Sequence, residues 1–259
     1  MPRLARLDAP GVVHHVIIRG IERRKVFRDN KDRNDMMDRL ADLLPATRTS
    51  CYAWAFLSTH AHFLFRSGDK GLSNLMRRLL TGYVIRFNRR HRRHGQLFQN
   101  RYKSIVCQED VYLKELVRYI HLNPLRAKLV PDMAGLDRYK YCGHSVLMEK
   151  RTCAWQETKY VLSYFGQGSL KGRKNYHLYV KEGVTQGRRP ELVGGGLIRS
   201  LGGWSEVRKL RRTGQDRMRE LGVEGTQVAK RLGMSQPGIA YAVKKGEGIV
   251  KDRNLRMES

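Results

Sequence analysis

Hydrophobic and polar residues recur along the first half of the chain with the periods of a mixed α/β domain. Four short apolar runs have the length and β-rich composition of strands: 12–19, 51–57, 60–66 and 103–107. Three segments repeat apolar residues at helical spacing: 30–44, 74–90 and 110–122. The order β-α-β-β-α-β, followed by a helix, predicts an α+β ferredoxin-like fold with an antiparallel four-stranded sheet. We expect Pro45 to end the first helix and one sheet face to be open.

The rest of the chain changes character twice after this pattern. Residues 139–165 are irregular with one predicted helix, and residues 166–217 hold 11 Gly and 12 Lys plus Arg, typical of a basic linker. Residues 218–259 have a helix-turn-helix pattern, which predicts a small all-α DNA-binding segment after a first domain at 1–165. The second helix would expose three polar side chains to a DNA groove: Gln236, Lys244 and Lys245. Alternatively, this segment is a helical hairpin that packs on the first domain.

The charge of the chain points to a polyanionic partner. Its 51 Lys plus Arg against 24 Asp plus Glu give a net charge of +27, which suits phosphate binding better than small-molecule catalysis. No apolar run reaches the length of a membrane span or a signal peptide, so we expect a soluble cytoplasmic protein without a membrane partner, associated with the nucleoid. The four cysteines are far apart and are expected to be reduced thiols.

One stretch concentrates this positive charge. Residues 71–108 contain no acidic residue, and aromatic and histidine side chains are interleaved with the cations. The candidate DNA-binding residues are Arg77, Arg78, Arg86, Arg89, Arg90, Arg92, Arg93, Arg101 and Lys103. Arginine guanidinium groups can bind phosphates through two hydrogen bonds, and aromatic side chains can stack on unpaired bases. Both interactions are typical of binding to a single strand or to the foot of a DNA hairpin. The alternative is a basic helix face that is only solvated.

Two histidines in the third apolar run form a candidate metal half-site. A strand has a period of two, so His60 and His62 share one face while Ala61, Phe63 and Phe65 take the other. Two neutral imidazoles side by side can bind a divalent cation. Alone, such a pair is more often a solvated strand face, and a third ligand and a reactive group are needed.

The helix predicted at 110–122 and the residue after it supply a candidate third ligand and a candidate reactive group. Tyr119 and Asn123 are four residues apart, so helical geometry places them on one side. The Asn123 amide oxygen could bind a metal, and Tyr119 could act as a phenol nucleophile next to it. The alternative is that Tyr119 is a buried core aromatic. His14 and His15 could line the same site from the first strand, but adjacent strand residues face opposite sides, so neither is assigned.

Together these residues resemble the single-tyrosine HUH transposases, especially the REP-associated branch. His60-Ala61-His62 is similar to the His-hydrophobic-His motif, and the sequence YIHLNP at 119–124 is similar to the tyrosine-helix signature. Relatives commonly have Pro-Asn where this chain has Ser58-Thr59. The resemblance covers residues 1–165.

This resemblance implies a metal-dependent reaction on DNA. His60, His62 and Asn123 would hold Mg²⁺ or Mn²⁺, and Tyr119 would attack a phosphodiester of single-stranded or hairpin DNA. The products would be a 5′-phosphotyrosine and a free 3′-hydroxyl. Two alternatives remain: a catalytically silent hairpin-binding protein, and a transcription regulator that acts through the C-terminal segment on duplex DNA. The active unit is expected to be a monomer or a homodimer.

Overall fold

The fold is a four-stranded antiparallel sheet, seen in a computed structural model that describes residues 10–107 and 109–187. Its strands are β1 (Val13–Arg19), β2 (Ser50–Leu57), β3 (His60–Arg66) and β4 (Lys103–Cys107). The spatial order is β2-β3-β1-β4, and each neighbouring pair is antiparallel. This order confirms the predicted ferredoxin-like α+β fold. The observed strand limits agree with the predicted ones to within one residue.

Eight α-helices occur among the described residues. They are α1 (Asn30–Thr47), α2 (Leu72–Arg90), α3 (Glu109–His121), α4 (Asn123–Arg126), α5 (Met133–Arg138), α6 (Gly143–Leu147), α7 (Thr158–Ser163) and α8 (Ser169–Glu182). The segment 139–165, for which one helix is predicted, therefore contains two short ones, α6 and α7. Within the described ranges no helix is long and apolar enough to cross a membrane.

Each face of the sheet has its own hydrophobic core. Helices α1 and α2 cover the face that carries Val16, Phe63 and Phe65. Helix α3 and the helices after it cover the opposite face, where Ala53 and Leu64 are fully buried. The expectation of an open second face is wrong, because the apolar side of α3 and the helices that follow it bury this surface. The candidate site lies on this second face.

Helix α1 runs past its proline. Asp29 caps the N-terminus by accepting a hydrogen bond from the Asp32 amide at 3.1 Å, and the helix ends at Thr47 before Arg48 adopts a left-handed conformation (φ 51°). The prediction that Pro45 ends the helix is wrong. A proline cannot donate to the carbonyl four residues earlier, but only one turn remains after it, so few helical hydrogen bonds are lost. Thr47 Oγ1 donates to the Leu43 carbonyl at 2.8 Å in this last turn.

The first part of the predicted linker is a packed helix. Helix α8 buries Tyr176 and Val180 against the second core. Gly172 allows close packing, since a Cβ there would lie 2.8 Å from the Leu162 carbonyl oxygen. The interpretation of residues 166–187 as linker is therefore wrong: this polar, glycine-containing segment becomes helical because a few of its side chains dock on the domain. The remainder of the predicted linker and the predicted helix-turn-helix at 218–259 lie outside the described residues.

Candidate active site

The strand β3 brings the two histidines together as its alternation predicts. The ring centroids of His60 and His62 are 5.2 Å apart on the face covered by α3. His62 is almost completely buried (2% exposed), whereas His60 is half-buried at the start of the strand. The position of His60 leaves the pair reachable from the end of the sheet.

The side chain of Tyr119 stands against this pair. Helix α3 packs its apolar side on the sheet through residues such as Leu116 and Ile120, which fixes the direction of the intervening residues. The Tyr119 ring lies edge-on to the His62 ring, with centroids 5.9 Å apart and an interplanar angle of 78°. It is half-buried, and the Arg126 guanidinium carbon lies 5.5 Å from its ring centroid. The structure therefore places the phenol at the histidine pair.

Asn123 follows one turn after Tyr119 at the start of α4. Its side-chain nitrogen donates to the backbone carbonyls of Tyr119 (3.0 Å) and Ile120 (3.3 Å). These two hydrogen bonds fix the amide and leave the oxygen Oδ1 as the atom that can bind a cation. Asn123 is 8% exposed, so its side chain is held within the fold.

His15 belongs to the same cluster, and sequence reasoning left it unassigned. Its Nε2 lies 3.0 Å from Nδ1 of His62, and the two rings are stacked with centroids 5.2 Å apart. The Tyr119 ring is 5.9 Å from the His15 ring. The other histidine of the adjacent pair, His14, faces the opposite side, where its Nδ1 lies 3.0 Å from Ser104 Oγ. The pairing of β1 with β3 therefore selects His15.

Burial keeps both histidines of the pair neutral. It lowers the pKa of His60 to about 4, and the positive charge of Arg19 adds to the effect. Burial also lowers the pKa of His62 well below its ordinary value, with the nearby His15 and His60 contributing. The lone pairs of both rings are therefore available at neutral pH.

The donor set fits a divalent cation. Nδ1 of His60 is 2.9 Å from the Thr59 hydroxyl, and Nδ1 of His62 is engaged by His15, so each ring has Nε2 left for ligation. With Oδ1 of Asn123, the fold offers two imidazole nitrogens and one amide oxygen. In their donor chemistry, these residues suit the metal site that the sequence resemblance implies.

Two cations share the face of the histidine pair. Arg19 is paired directly opposite His60, and Lys103 lies opposite Ile17, which itself pairs with His62. Both side chains are exposed. Partial burial and the charge of Arg19 lower the pKa of Lys103. A phosphate at the histidine pair would lie beside these cations.

The predicted basic surface on α2 is partly neutralised by α1. Arg86 bonds to Asp35 at 2.9 Å, and Arg90 forms ion pairs with Asp29 and Asp32. The acidic residues missing from 71–108 are thus supplied from another part of the chain. Arg86 and Arg90 therefore help to pack α2 on α1, and as DNA contacts they stay predictions. The other basic residues of this stretch remain predicted DNA contacts.

A basic cleft that sequence reasoning missed lies next to the site. Its volume is about 270 Å³. Its lining residues are Ile21, Arg24, Lys25, Arg28, Phe87, Arg93 and Leu97. The loop after β1 that forms one wall is bonded to the β2–β3 turn, because the amides of Gly20 and Val26 donate to the carbonyls of Thr59 and Ser58 at 2.9 Å. The cleft therefore adjoins the turn that leads into His60.

Part of the chain is similar to known proteins. Residues 10–123 match the model of a protein family described as "Transposase IS200 like". Among solved structures, the chain is similar to a REP-associated tyrosine transposase bound to a REP hairpin, with 15% identity and a TM-score of 0.47 over 60% of this chain and 91% of the other. No curated protein sequence matches the chain.

Proposed function

We propose that this chain, whose residues 10–123 match the model of the IS200-like transposase family, cuts single-stranded DNA and transfers the cut strand through a covalent 5′-phosphotyrosine. The match of residues 10–123 to this family supports transposase activity. The observation that carries the finer proposal is the Tyr119 ring standing edge-on to the ring of His62, with centroids 5.9 Å apart, while the His62 ring lies 5.2 Å from that of His60.

Tyr119 acts as the nucleophile in this proposal. Its phenolic oxygen forms a bond to phosphorus, and the bond between phosphorus and the 3′-oxygen breaks. Tyr119 loses its proton, and the departing 3′-oxygen gains one, so the products are a 5′-phosphotyrosine and a 3′-hydroxyl. The energy of the cut bond is retained in the adduct, and a 3′-hydroxyl can reverse the step to join strands. Helix α3 would hold the phenol next to the phosphate that it attacks.

His60, His62 and Asn123 would hold the divalent cation, Mg²⁺ or Mn²⁺. When bound, this cation supplies charge that polarises the attacked phosphate. His15 fixes the orientation of His62 through the 3.0 Å contact between the two rings. Arg19 and Lys103 bind the flanking phosphates from the same sheet face.

The basic cleft extends this path for DNA. Arg24, Lys25, Arg28 and Arg93 offer positive charge at its walls. A single strand that leaves the histidine pair along the β2–β3 turn would enter this cleft. The sequence resemblance to the REP-associated branch makes hairpin DNA the substrate class to test first. The C-terminal segment, through Gln236, Lys244 and Lys245, stays a predicted second contact with DNA.

The test is cleavage of a labelled hairpin oligonucleotide with single-stranded flanks. With Mn²⁺ or Mg²⁺ the full chain should cut the flank, and the reaction should stop with chelator or with Tyr119→Phe. Tyr112→Phe is the matched control, because Tyr112 is a partly buried tyrosine of the same helix and packs in the second core. Equal cutting by Tyr119→Phe and the unchanged chain would refute the assigned nucleophile. Specific hairpin binding without cutting, over many flanks, would instead support a silent binder.

Truncating the chain distinguishes the proposed enzyme from the remaining alternative, a transcription regulator. A chain ending at residue 187 keeps α8 and its packing, so cutting should persist. A transcription regulator that depends on residues 218–259 would lose its specific DNA binding in the same truncation.

A further inference from the structure

A second group of metal-ligand side chains lies behind the tyrosine helix. Asp137 of α5, His144 of α6 and His177 of α8 offer ligand atoms that all lie within 4.8 Å of one another. Oδ1 of Asp137 is 2.8 Å from Nε2 of His144 and 3.3 Å from Nε2 of His177. The Nε2 atom of His177 is shielded from solvent and makes no hydrogen bond to any described residue.

The ring of His144 is already oriented for ligation. It is fully buried, and its Nδ1 lies 2.6 Å from the Tyr176 hydroxyl, which lies 2.7 Å from Nδ1 of His121. Without a cation, His144 donates from Nε2 to Oδ1 of Asp137 at 2.8 Å and accepts a hydrogen bond from Tyr176 at Nδ1. A cation on Nε2 would select the other tautomer, in which His144 donates from Nδ1 to Tyr176 and Tyr176 donates to His121. Histidine ligands in metal sites have this outer partner on the second nitrogen.

We propose that Asp137, His144 and His177 bind a zinc-type divalent cation at a site separate from the histidine pair of the sheet. Two imidazole nitrogens and one carboxylate oxygen are a ligand set that Zn²⁺ accepts in tetrahedral sites. The side chains of Asp137 and His177 are 22% and 29% exposed, so a cation can enter and a water can complete the coordination.

The ionisation of the group suits a cation. Burial lowers the pKa of His144, which keeps the ring neutral. The hydrogen bond from His144 is the main cause that lowers the pKa of Asp137, which keeps the carboxylate charged. Ligands in these forms need to lose no proton at neutral pH.

The bound cation would fasten α8 to α5 and α6, and so act on the helix that carries Tyr119. Helix α8 packs on α3, where the Arg118 guanidinium carbon lies 4.0 Å from the Tyr179 ring centroid. The relay from His144 through Tyr176 also reaches His121, two residues after Tyr119. The cation therefore has a structural role in holding the nucleophile helix against the sheet.

The positions of the histidines and cysteines in the sequence allow the proposed site to be tested by metal titration of the full chain. All nine histidines and all four cysteines precede residue 178, so the C-terminal segment contributes no imidazole or thiol ligand. The full chain, stripped of metal with chelator, is titrated with Co²⁺, whose visible absorption reports tetrahedral nitrogen and oxygen ligation, and then with Zn²⁺ as competitor. The double substitution His60→Ala/His62→Ala removes the pair on the sheet and isolates the proposed site.

We expect two equivalents of Co²⁺ on the unchanged chain and one on the double variant, with that one displaced by Zn²⁺. Adding Asp137→Asn or His177→Ala to the double variant should abolish the remaining equivalent, whereas adding His94→Ala, an exposed histidine, should leave it. Asn at 137 can still accept the hydrogen bond from His144, so the fold is retained and can be checked by circular dichroism. A double variant that binds no cation, or one whose bound equivalent survives both substitutions, would overturn the proposal. Because these readouts need no DNA, they are independent of strand cleavage.

Discussion

Acid should weaken the fold well above the pH at which carboxylates titrate. The structure buries His60, His62, His121 and His144 in neutral form, since burial is the main cause that lowers the pKa of each one. Their unfolded forms take up a proton near pH 6.5, whereas the folded forms resist it. Between these values the unfolded chain binds more protons, so the free energy of unfolding falls as the pH falls.

The magnitude follows from His60, whose pKa falls from 6.5 to about 4. A single such group contributes a slope of about 1.4 kcal/mol per pH unit within this window, and about 3 kcal/mol in total by pH 4. The other three histidines act in the same direction. Asp29 acts at lower pH, because the hydrogen bond and ion pair with Arg90 lower its pKa from 3.8 to about 2 and its contribution is lost as the pH falls through that lower range.

Urea denaturation followed by tryptophan fluorescence, in chelator and at several pH values from 7.5 to 4.5, measures this slope. His60→Asn should reduce the slope by roughly the share of one histidine, about 1.4 kcal/mol per pH unit. His94→Asn, which changes an exposed histidine, should leave the slope as it is. A free energy of unfolding that stays constant or rises as the pH falls would refute the assignment of buried neutral histidines.

Three further outcomes are expected. His15→Ala should weaken metal binding at the histidine pair by about 10- to 100-fold without unfolding the chain, measured by calorimetry, because His62 loses its orienting partner. Gly143→Ala should cost about 1–3 kcal/mol in urea denaturation, because the new Cβ would lie 2.8 Å from His121 Nε2 and from Gln156 Oε1, and an unchanged stability would contradict this packing. Hairpin affinity should fall steeply as salt rises, and a flat plot of log K against log salt concentration would argue against phosphate contacts.

The parts of the site that depend on local geometry could be predicted from the sequence. The alternation of β3 places His60 and His62 on one face whatever strand lies beside it. Asn123 lies beyond the end of α3, yet Leu122 keeps a helical conformation (φ −79°, ψ −9°), so the helical spacing from Tyr119 still holds. The two-residue period of the strand and the four-residue spacing of the helix are therefore sufficient to predict on which side of their elements these side chains lie.

The parts that depend on distant pairing could not be predicted. His14 and His15 are equivalent until β1 is paired with β3, and that register alone brings His15 to His62. The acidic partners of Arg86 and Arg90 are more than 50 residues away along the chain. Helix α8 has a linker-like composition and folds because a few of its side chains meet a surface built by other helices.

The most direct test of the central claim is the chemical identity of the adduct. The full chain is incubated with a hairpin oligonucleotide and Mn²⁺, digested with protease and nuclease, and analysed by tandem mass spectrometry. We predict a nucleotide joined through its 5′-phosphate to the oxygen of Tyr119, in the peptide that also contains Asn123. A nucleotide attached to another residue, or cut DNA with no protein adduct at all, would contradict the account.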